Sequence, residues 1–180
     1  GFCSVEADVF LVNGQLLVAH TRRELSEKNT LKGLYLDPLN ERVKQNGGRV
    51  YAGGPPFTLL VDIKKEGADA YHALDALLSA YPEVFTVVKD GIRTEKAVND
   101  VISGDRAVDV ISADNERYAG IDGRLTDIES DMPVPLLPLI SDNWRNHFRW
   151  RGEGTLSEEE QEKLTNIVKQ VHAQGRRIRF

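Results

Sequence analysis

Val5-Glu6-Ala7-Asp8-Val9 places two carboxylates inside a segment that otherwise reads as a buried strand. Side chains alternate along an extended strand, so Glu6 and Asp8 share one face while Val5, Ala7 and Val9 take the other. Two like charges desolvated side by side repel or take up a proton unless a cation or a basic group lies between them. Leu59-Leu60-Val61-Asp62-Ile63-Lys64 repeats the pattern, with Asp62 and Lys64 on one face and Val61 and Ile63 on the other. Between these stretches, the apolar run Leu16-Leu17-Val18-Ala19 ends in His20. Three acids, a lysine and a histidine at strand ends make a site for a hard cation with proton-transfer chemistry beside it. A structural ion pair is the plainer reading of either strand alone. It suits the two together less well, because both carry same-face acids and both flank the histidine.

The elements that must hold these residues alternate. A helix follows the Asp62 strand at once, marked by Tyr71, Leu74, Leu77, Leu78 and Tyr81 from about residue 68 to before Pro82. Leu31 to Asn46 reads as one or two short helices interrupted near Pro38 and closed by Gly47-Gly48. Further strands are expected at residues 85–88, 98–103, 118–122 and 137–141, with helical stretches near Val108 and Trp144. Ser157 opens a Ser-x-x-Glu capping box with Glu160, and Leu164, Ile167, Val168 and Val171 recur at helical spacing until Gly175, before a last strand over residues 177–180. Alternation without internal repeats predicts an α/β fold with a parallel sheet, either doubly wound or a (β/α)8 barrel. Site candidates at the C-terminal ends of successive strands favour the barrel. Gly47-Gly48 and Gly53-Gly54 precede a strand instead of opening a helix after one, so no dinucleotide-binding loop is present.

The 180 residues, 41% of them hydrophobic, suffice for one core, and the whole of 1–180 reads as a single domain. A net charge of −5 with acids and bases interspersed offers no basic stripe for a phosphate backbone, which argues against a nucleic-acid partner. No run is long enough for a membrane span. The single cysteine, Cys3, cannot form an intrachain disulfide, and its neighbours Phe2 and Val5 suggest a small buried side chain.

At these residues the chain resembles the PLC-like phosphodiesterase superfamily, which includes glycerophosphodiester phosphodiesterases and phosphatidylinositol phospholipases C. The Glu-x-Asp of Glu6 and Asp8, the following His20 and the acid-x-Lys of Asp62 and Lys64 carry the similarity. More narrowly, Thr30-Leu31, Leu34-Tyr35-Leu36-Asp37-Pro38-Leu39, Asp122-Gly123-Arg124 and Ser141-Asp142-Asn143-Trp144 are similar to the branch named for an altered inheritance of mitochondria protein. The resemblance implies that Glu6, Asp8 and Asp62 ligate one Mg2+ or Ca2+, with Lys64 near the metal and a phosphate oxygen. It makes His20 the general acid on a leaving alkoxide. Arg124 is a candidate for binding phosphate or for pairing with Asp122 or Asp127. Trp144, with Phe148 and Trp150, is a candidate wall over the substrate or a packed cluster.

The same family uses a histidine on the strand before Glu6, and His72, His147 and His172 are not expected to replace it: two fall in helix patterns and His147 lies among aromatics. Counted against the family, the chain covers about strands two to seven of an incomplete barrel whose parent would run to roughly 250 residues. The leading expectation is a metal-dependent phosphodiester hydrolase acting on a glycerophosphodiester or phospholipid head group. The alternative is a catalytically incomplete fragment or pseudoenzyme that keeps the metal site. Another metal-dependent barrel hydrolase ranks third, for want of a His-x-His motif. If the cation reading holds, oxygens of Glu6, Asp8 and Asp62 lie within roughly 5 Å of one another, as shared ligation requires. Coordinates with Asp62 at the other end of the sheet would contradict it.

Overall fold

The stretch around Glu6 and Asp8 forms strand β1 (Ser4–Val12). Asn13 and Gly14 follow with φ of 50° and 76°, the pair of left-handed residues that a tight hairpin turn needs. The turn returns the chain as β2 (Gln15–Val18), antiparallel to β1 with Val9 opposite Val18. In the computed structural model, which describes residues 2–180, the chain divides after Ile121 into two compact units. Both are built from strands and helices in a mixed α/β arrangement.

In the first unit, a π-helical turn over Lys32–Leu36 runs into helix α1 (Asp37–Gln45). Pro38 lies where the π-helical turn passes into α1, and the helical backbone continues through it. Strand β3 (Phe57–Ile63) lies parallel to β1, and helix α2 (Gly67–Leu78) follows. Strands β4 (Val87–Lys89) and β5 (Ile92–Thr94) form a hairpin across Asp90-Gly91. Then come β6 (Val98–Gly104), α3 (Val108–Ala113), β7 (Glu116–Arg117) and β8 (Ala119–Gly123). β3, β6 and the start of β8 continue the parallel pairing from β1, with β2 antiparallel at the edge. β5, β4 and β7 make a separate three-stranded antiparallel sheet that alternation alone did not reveal.

Register decides which side chains share a face. Asp8 pairs with Asp62, and Asp62 with Ser103, so these lie at one level across three parallel strands. The opposite face carries Ala7, Val9, Leu59, Val61, Ile63 and Ile102, all buried. α2 packs on β1 and β2, and its Tyr71, Leu74 and Leu78 are fully buried. Each such apolar side chain contributes about 1.5–3 kcal/mol of burial. Cys3, expected to be buried, is exposed, as is Phe2 at 85%. Cys3 is met by the chain through its carbonyl, which accepts from the Thr58 amide, leaving its side chain outside the core.

The second unit takes the end of β8, strand β9 (Leu139–Ser141), the short helix α4 (Trp144–His147), helix α5 (Glu158–Ala173) and β10 (Arg177–Arg179). Asp122 pairs with Leu139, and Leu139 with Arg177, all parallel. Ser157 caps α5 by accepting from the Glu160 amide, as its sequence predicts. Arg176 is buried and donates to the Met132 and Ile128 carbonyls, tying the 128–132 loop to the start of β10. Among the described residues, no helix is long and apolar enough to cross a membrane.

One buried polar group in the first unit stands apart. Asp100 of β6 points to the apolar face, is 3% exposed, and neither carboxylate oxygen has a hydrogen-bond partner. Burial, reinforced by the nearby Asp75, pushes its carboxyl well above the usual range. A carboxyl raised in the folded state stabilises below its unfolded value, and that stability is lost as pH rises through the folded value. Asp100→Asn should therefore flatten the decline of the unfolding midpoint as pH rises above the ordinary carboxyl value of 3.8. A wild-type slope retained in the variant would show that the proton is lost elsewhere.

Candidate active site

The first unit brings five of the seven sequence candidates into one cluster. Glu6, Asp8 and Asp62 each offer a carboxylate oxygen within 4.8 Å of the others, as expected from the strand pattern. Parallel pairing causes this, because it sets Asp8 directly beside Asp62 and Glu6 one pleat earlier on the same face. Lys64 follows the end of β3, where its amide donates to the Val9 carbonyl at 3.0 Å. Its Nζ lies 3.0 Å from Asp8 Oδ1 and 3.3 Å from Asp62 Oδ2, bridging the two acids.

His20 reaches the cluster through the hairpin. The Ala19 amide donates to the Asp8 carbonyl, so the next residue emerges beside the Asp8 side chain. His20 Nδ1 contacts Asp8 Oδ2 at 2.6 Å, while the side chain as a whole stays 78% exposed. With Nδ1 turned to the carboxylate, Nε2 faces outward and is free to meet a ligand. The following turn is closed by the Thr21 amide on Glu24 Oε2 at 2.9 Å and by the Glu24 amide on the Thr21 carbonyl.

The charges respond to one another. Partial burial pushes the Asp8 carboxyl up, but the hydrogen bonds from His20 and Lys64 outweigh it and leave it below the usual carboxylate range. Burial likewise lowers Lys64, and its bonds to Asp8 and Asp62 reverse this, holding the ammonium above its ordinary value. Each of the three carboxylates has about four lone-pair positions. Asp8 can therefore keep Lys64 and His20 and still accept a cation. The donors present fit a hard, oxygen-seeking ion.

Two further residues approach the cluster; Gly104 was not among the sequence candidates, and Tyr35 stood only in the stretch that carries the narrower resemblance. Gly104, at the end of β6, has φ of +71°, and a Cβ there would collide with the Asp62 carboxylate and the Ile63 carbonyl. Only glycine lets β6 close so tightly on Asp62. Tyr35, in the π-helical turn, donates its hydroxyl to the Glu6 carbonyl at 3.4 Å. A glycine at the end of an apolar strand was the available signal for the first; nothing in the periodicity pointed to the second.

Arg124 and Trp144 belong to the second unit. Arg124 Nη1 donates to the Asp122 carboxylate at 3.1 Å and to the Asp122 and Gly123 carbonyls, while Asp122 also accepts from the Ser141 hydroxyl. Trp144 stacks on Phe148 with centroids 4.2 Å apart, and its Nε1 donates to the Trp150 carbonyl. His147 Nε2 lies 3.2 Å from Asp142 Oδ2, a histidine–carboxylate contact that its place among aromatics had concealed.

The profile of the AIM6-like phosphodiesterase domain matches residues 1–121. The chain belongs to the AIM6-like phosphodiesterase family. The matched region ends where the first compact unit ends, and it contains the whole carboxylate cluster. The altered inheritance of mitochondria protein 6 homolog of Arthroderma benhamiae is 35% identical over 91 residues, covering 43% of this chain and 29% of that protein. No solved structure matches the chain.

Gly104→Ala should destabilise the protein by about 1–3 kcal/mol, the usual cost of a non-glycine residue forced into left-handed backbone. An unchanged unfolding midpoint would contradict the contact with Asp62. A second outcome concerns acid. Because Asp8 is held below its ordinary 3.8, its stabilising contribution is present above that pH and is lost as pH falls through the folded value. Asp8→Asn should remove that part of the midpoint's decline below about pH 4. Parallel acid limbs in variant and wild type would place the titrating group elsewhere.

Proposed function

We propose that Glu6, Asp8, His20, Asp62 and Lys64 form the active site of a metal-dependent phosphoric diester hydrolase acting on a glycerophosphodiester or phospholipid head group. The carrying observation is the convergence of three carboxylates within 4.8 Å at neighbouring parallel strands, inside the region that matches a phosphodiesterase domain. The succession of parallel strands β1, β3, β6 and the start of β8, with Asp62 near the C-terminal end of β3 and Asp8 level with it, supports reading the sheet as part of a (β/α)8 barrel.

Glu6, Asp8 and Asp62 would hold Mg2+ or Ca2+, which supplies charge neutralisation to the phosphoryl oxygens when bound. Lys64, bridging Asp8 and Asp62, presents its ammonium at the same place and would meet a non-bridging oxygen of the phosphate. His20 donates through Nδ1 to Asp8, so a protonated ring can deliver its other proton from Nε2 to a departing alkoxide. Attack by a neighbouring hydroxyl of the substrate would form one P–O bond and release that hydroxyl's proton to water as the bond to the alkoxide breaks, giving a cyclic phosphate. Arg124 and Trp144, the substrate-binding candidates of the sequence, lie in the second unit, where each is engaged by neighbours, and carry no part of this proposal.

One observation favours a second reading. Lys64 by itself bridges two of the three acids, so the cluster has an internal counter-charge and could persist as a metal-binding or purely structural site in a catalytically incomplete protein. Kinetics separate the two. With Mg2+ or Ca2+ saturating, His20→Ala should slow diesters with alkyl leaving groups by about 10²- to 10⁴-fold while sparing p-nitrophenyl diesters, whose leaving group needs no proton. Equal losses on both would remove His20 from the acid role, and activity that survives a chelator would remove the metal. Cation binding without turnover of any diester would establish the second reading.

A further inference from the structure

Lys64 bridges Asp8 and Asp62 from the first position after β3, on a loop of Lys64, Lys65 and Glu66 that ends where α2 begins at Gly67. A long side chain on a short loop keeps one place only if the backbone of the loop does. The near end is held by β1, where the Lys64 amide donates to the Val9 carbonyl at 3.0 Å. From the other side it is held by the loop that follows β6. The Asp105 amide donates to the Ile63 carbonyl at 2.8 Å, and the Asp105 carboxylate accepts from the Gly67 amide at 3.0 Å. One residue therefore grips the chain immediately before Lys64 and immediately after Glu66.

The loop needs that grip. Glu66 sits at φ of 61°, left-handed backbone that a non-glycine residue keeps only when its surroundings enforce it. It occupies the N-cap position of α2 and its side chain makes no capping bond, so the first amide of the helix, on buried Gly67, takes its acceptor from Asp105. A buried amide left unpaired is costly, and negative charge is favourable at a helix N-terminus, so a carboxylate suits the place on both counts. The approach of the two loops is close enough to select glycine on either side. A Cβ at Gly67 would collide with the Asp105 carbonyl and carboxylate, and one at Gly104 with the Ile63 carbonyl and the Asp62 carboxylate. Ala107, two residues past Asp105, is left-handed as well at φ of 41°, so the gripping loop is as sharply turned as the loop it holds.

We propose that Asp105 is a positioning residue: by fixing both ends of residues 64–66 it sets where Lys64 presents its ammonium between Asp8 and Asp62. Without its carboxylate the α2 end of the loop is released, Glu66 relaxes toward ordinary backbone, and Lys64 loses the fixed starting point of its reach. The loop after β6 thereby tunes a group carried by the loop after β3. The inference rests on the reading of Lys64 as the group that meets a phosphate oxygen.

Asp105→Ala removes the acceptor, and Asp105→Asn keeps an oxygen in its place without the charge. Hydrogen exchange of the Gly67 amide should quicken about tenfold or more in Asp105→Ala, the worth of a hydrogen bond to a charged group, and stay near wild type in Asp105→Asn. Exchange in β1 and β6 should be unchanged in both, which separates a released loop from a damaged fold. With Mg2+ saturating, kcat/KM for glyceryl p-nitrophenyl phosphate should fall about ten- to a hundredfold in Asp105→Ala, as a displacement of about 1 Å can cause, and largely recover in Asp105→Asn. In a Lys64→Met background Asp105→Ala should cost less than about twofold, because a residue that acts through Lys64 then has nothing left to position. Should Asp105→Ala not fold, Asp105→Glu, which moves the carboxylate by one methylene, takes its place in the same comparison. Unchanged exchange at Gly67 would overturn the grip, and a full kinetic loss that persists without the Lys64 ammonium would overturn the link to Lys64. Wild-type protein that turns over no diester with Mg2+ or Ca2+ would remove the hydrolase reading and the kinetic consequence with it, and exchange at Gly67 would then decide for or against the grip.

Discussion

Three carboxylates held at one place on a sheet repel one another, and the arrangement around them answers that repulsion. Like charges a few ångströms apart in a partly desolvated site cannot all stay ionised without a compensating cation. Lys64 supplies one positive charge by bridging Asp8 and Asp62, and His20 places a second titratable donor on Asp8. The pairing of Asp8 with Asp62 makes the repulsion unavoidable, because parallel register puts them side by side on one face. The apolar face fixes that register by pairing buried Ala7 with Val61 and Val9 with Ile63, and the acids on the other face have to accept it.

The surroundings narrow the freedom of two of the acids by different means. Asp62 is confined by the close approach of Gly104, and Asp8 by bonds to His20 and Lys64. The hairpin turn at Asn13-Gly14 is as necessary as any ligand, because it folds β2 back so that His20 arrives at Asp8. Pre-set geometry of this kind is what lets a few polar groups act together, because little has to be ordered when a ligand arrives. The other face of the same sheet shows the contrast: neither Asp100 oxygen has a hydrogen-bond partner, and burial pushes its carboxyl up where the bonds to Asp8 hold that one down.

Much of this was legible in the residues. Period-two alternation placed Glu6 with Asp8 and gave Asp62 the same standing on a second strand, and the capping box at Ser157 gave the start of α5. Strand–helix alternation also gave the parallel core. What it could not give was anything that depends on which strands pair. The antiparallel sheet of β4, β5 and β7 is made of segments two or three residues long, too short for a period to register. Pro38 looked like a break because proline commonly interrupts a helix, whereas here the helical backbone continues through it. Gly104 was invisible for another reason: it matters through a contact with Asp62, far along the chain. Cys3 misled because apolar neighbours in sequence at the start of a strand are no guarantee of cover in space.

The central claim is that Glu6, Asp8 and Asp62 together hold one divalent ion. Crystals soaked in Mn2+, a redox-stable substitute for Mg2+ with strong anomalous scattering, test it directly. The account predicts a single anomalous peak with oxygens of all three carboxylates about 2.0–2.6 Å away, as hard-cation ligation requires. A peak elsewhere, or a site left with Lys64 alone between Asp8 and Asp62 at saturating Mn2+, would contradict it.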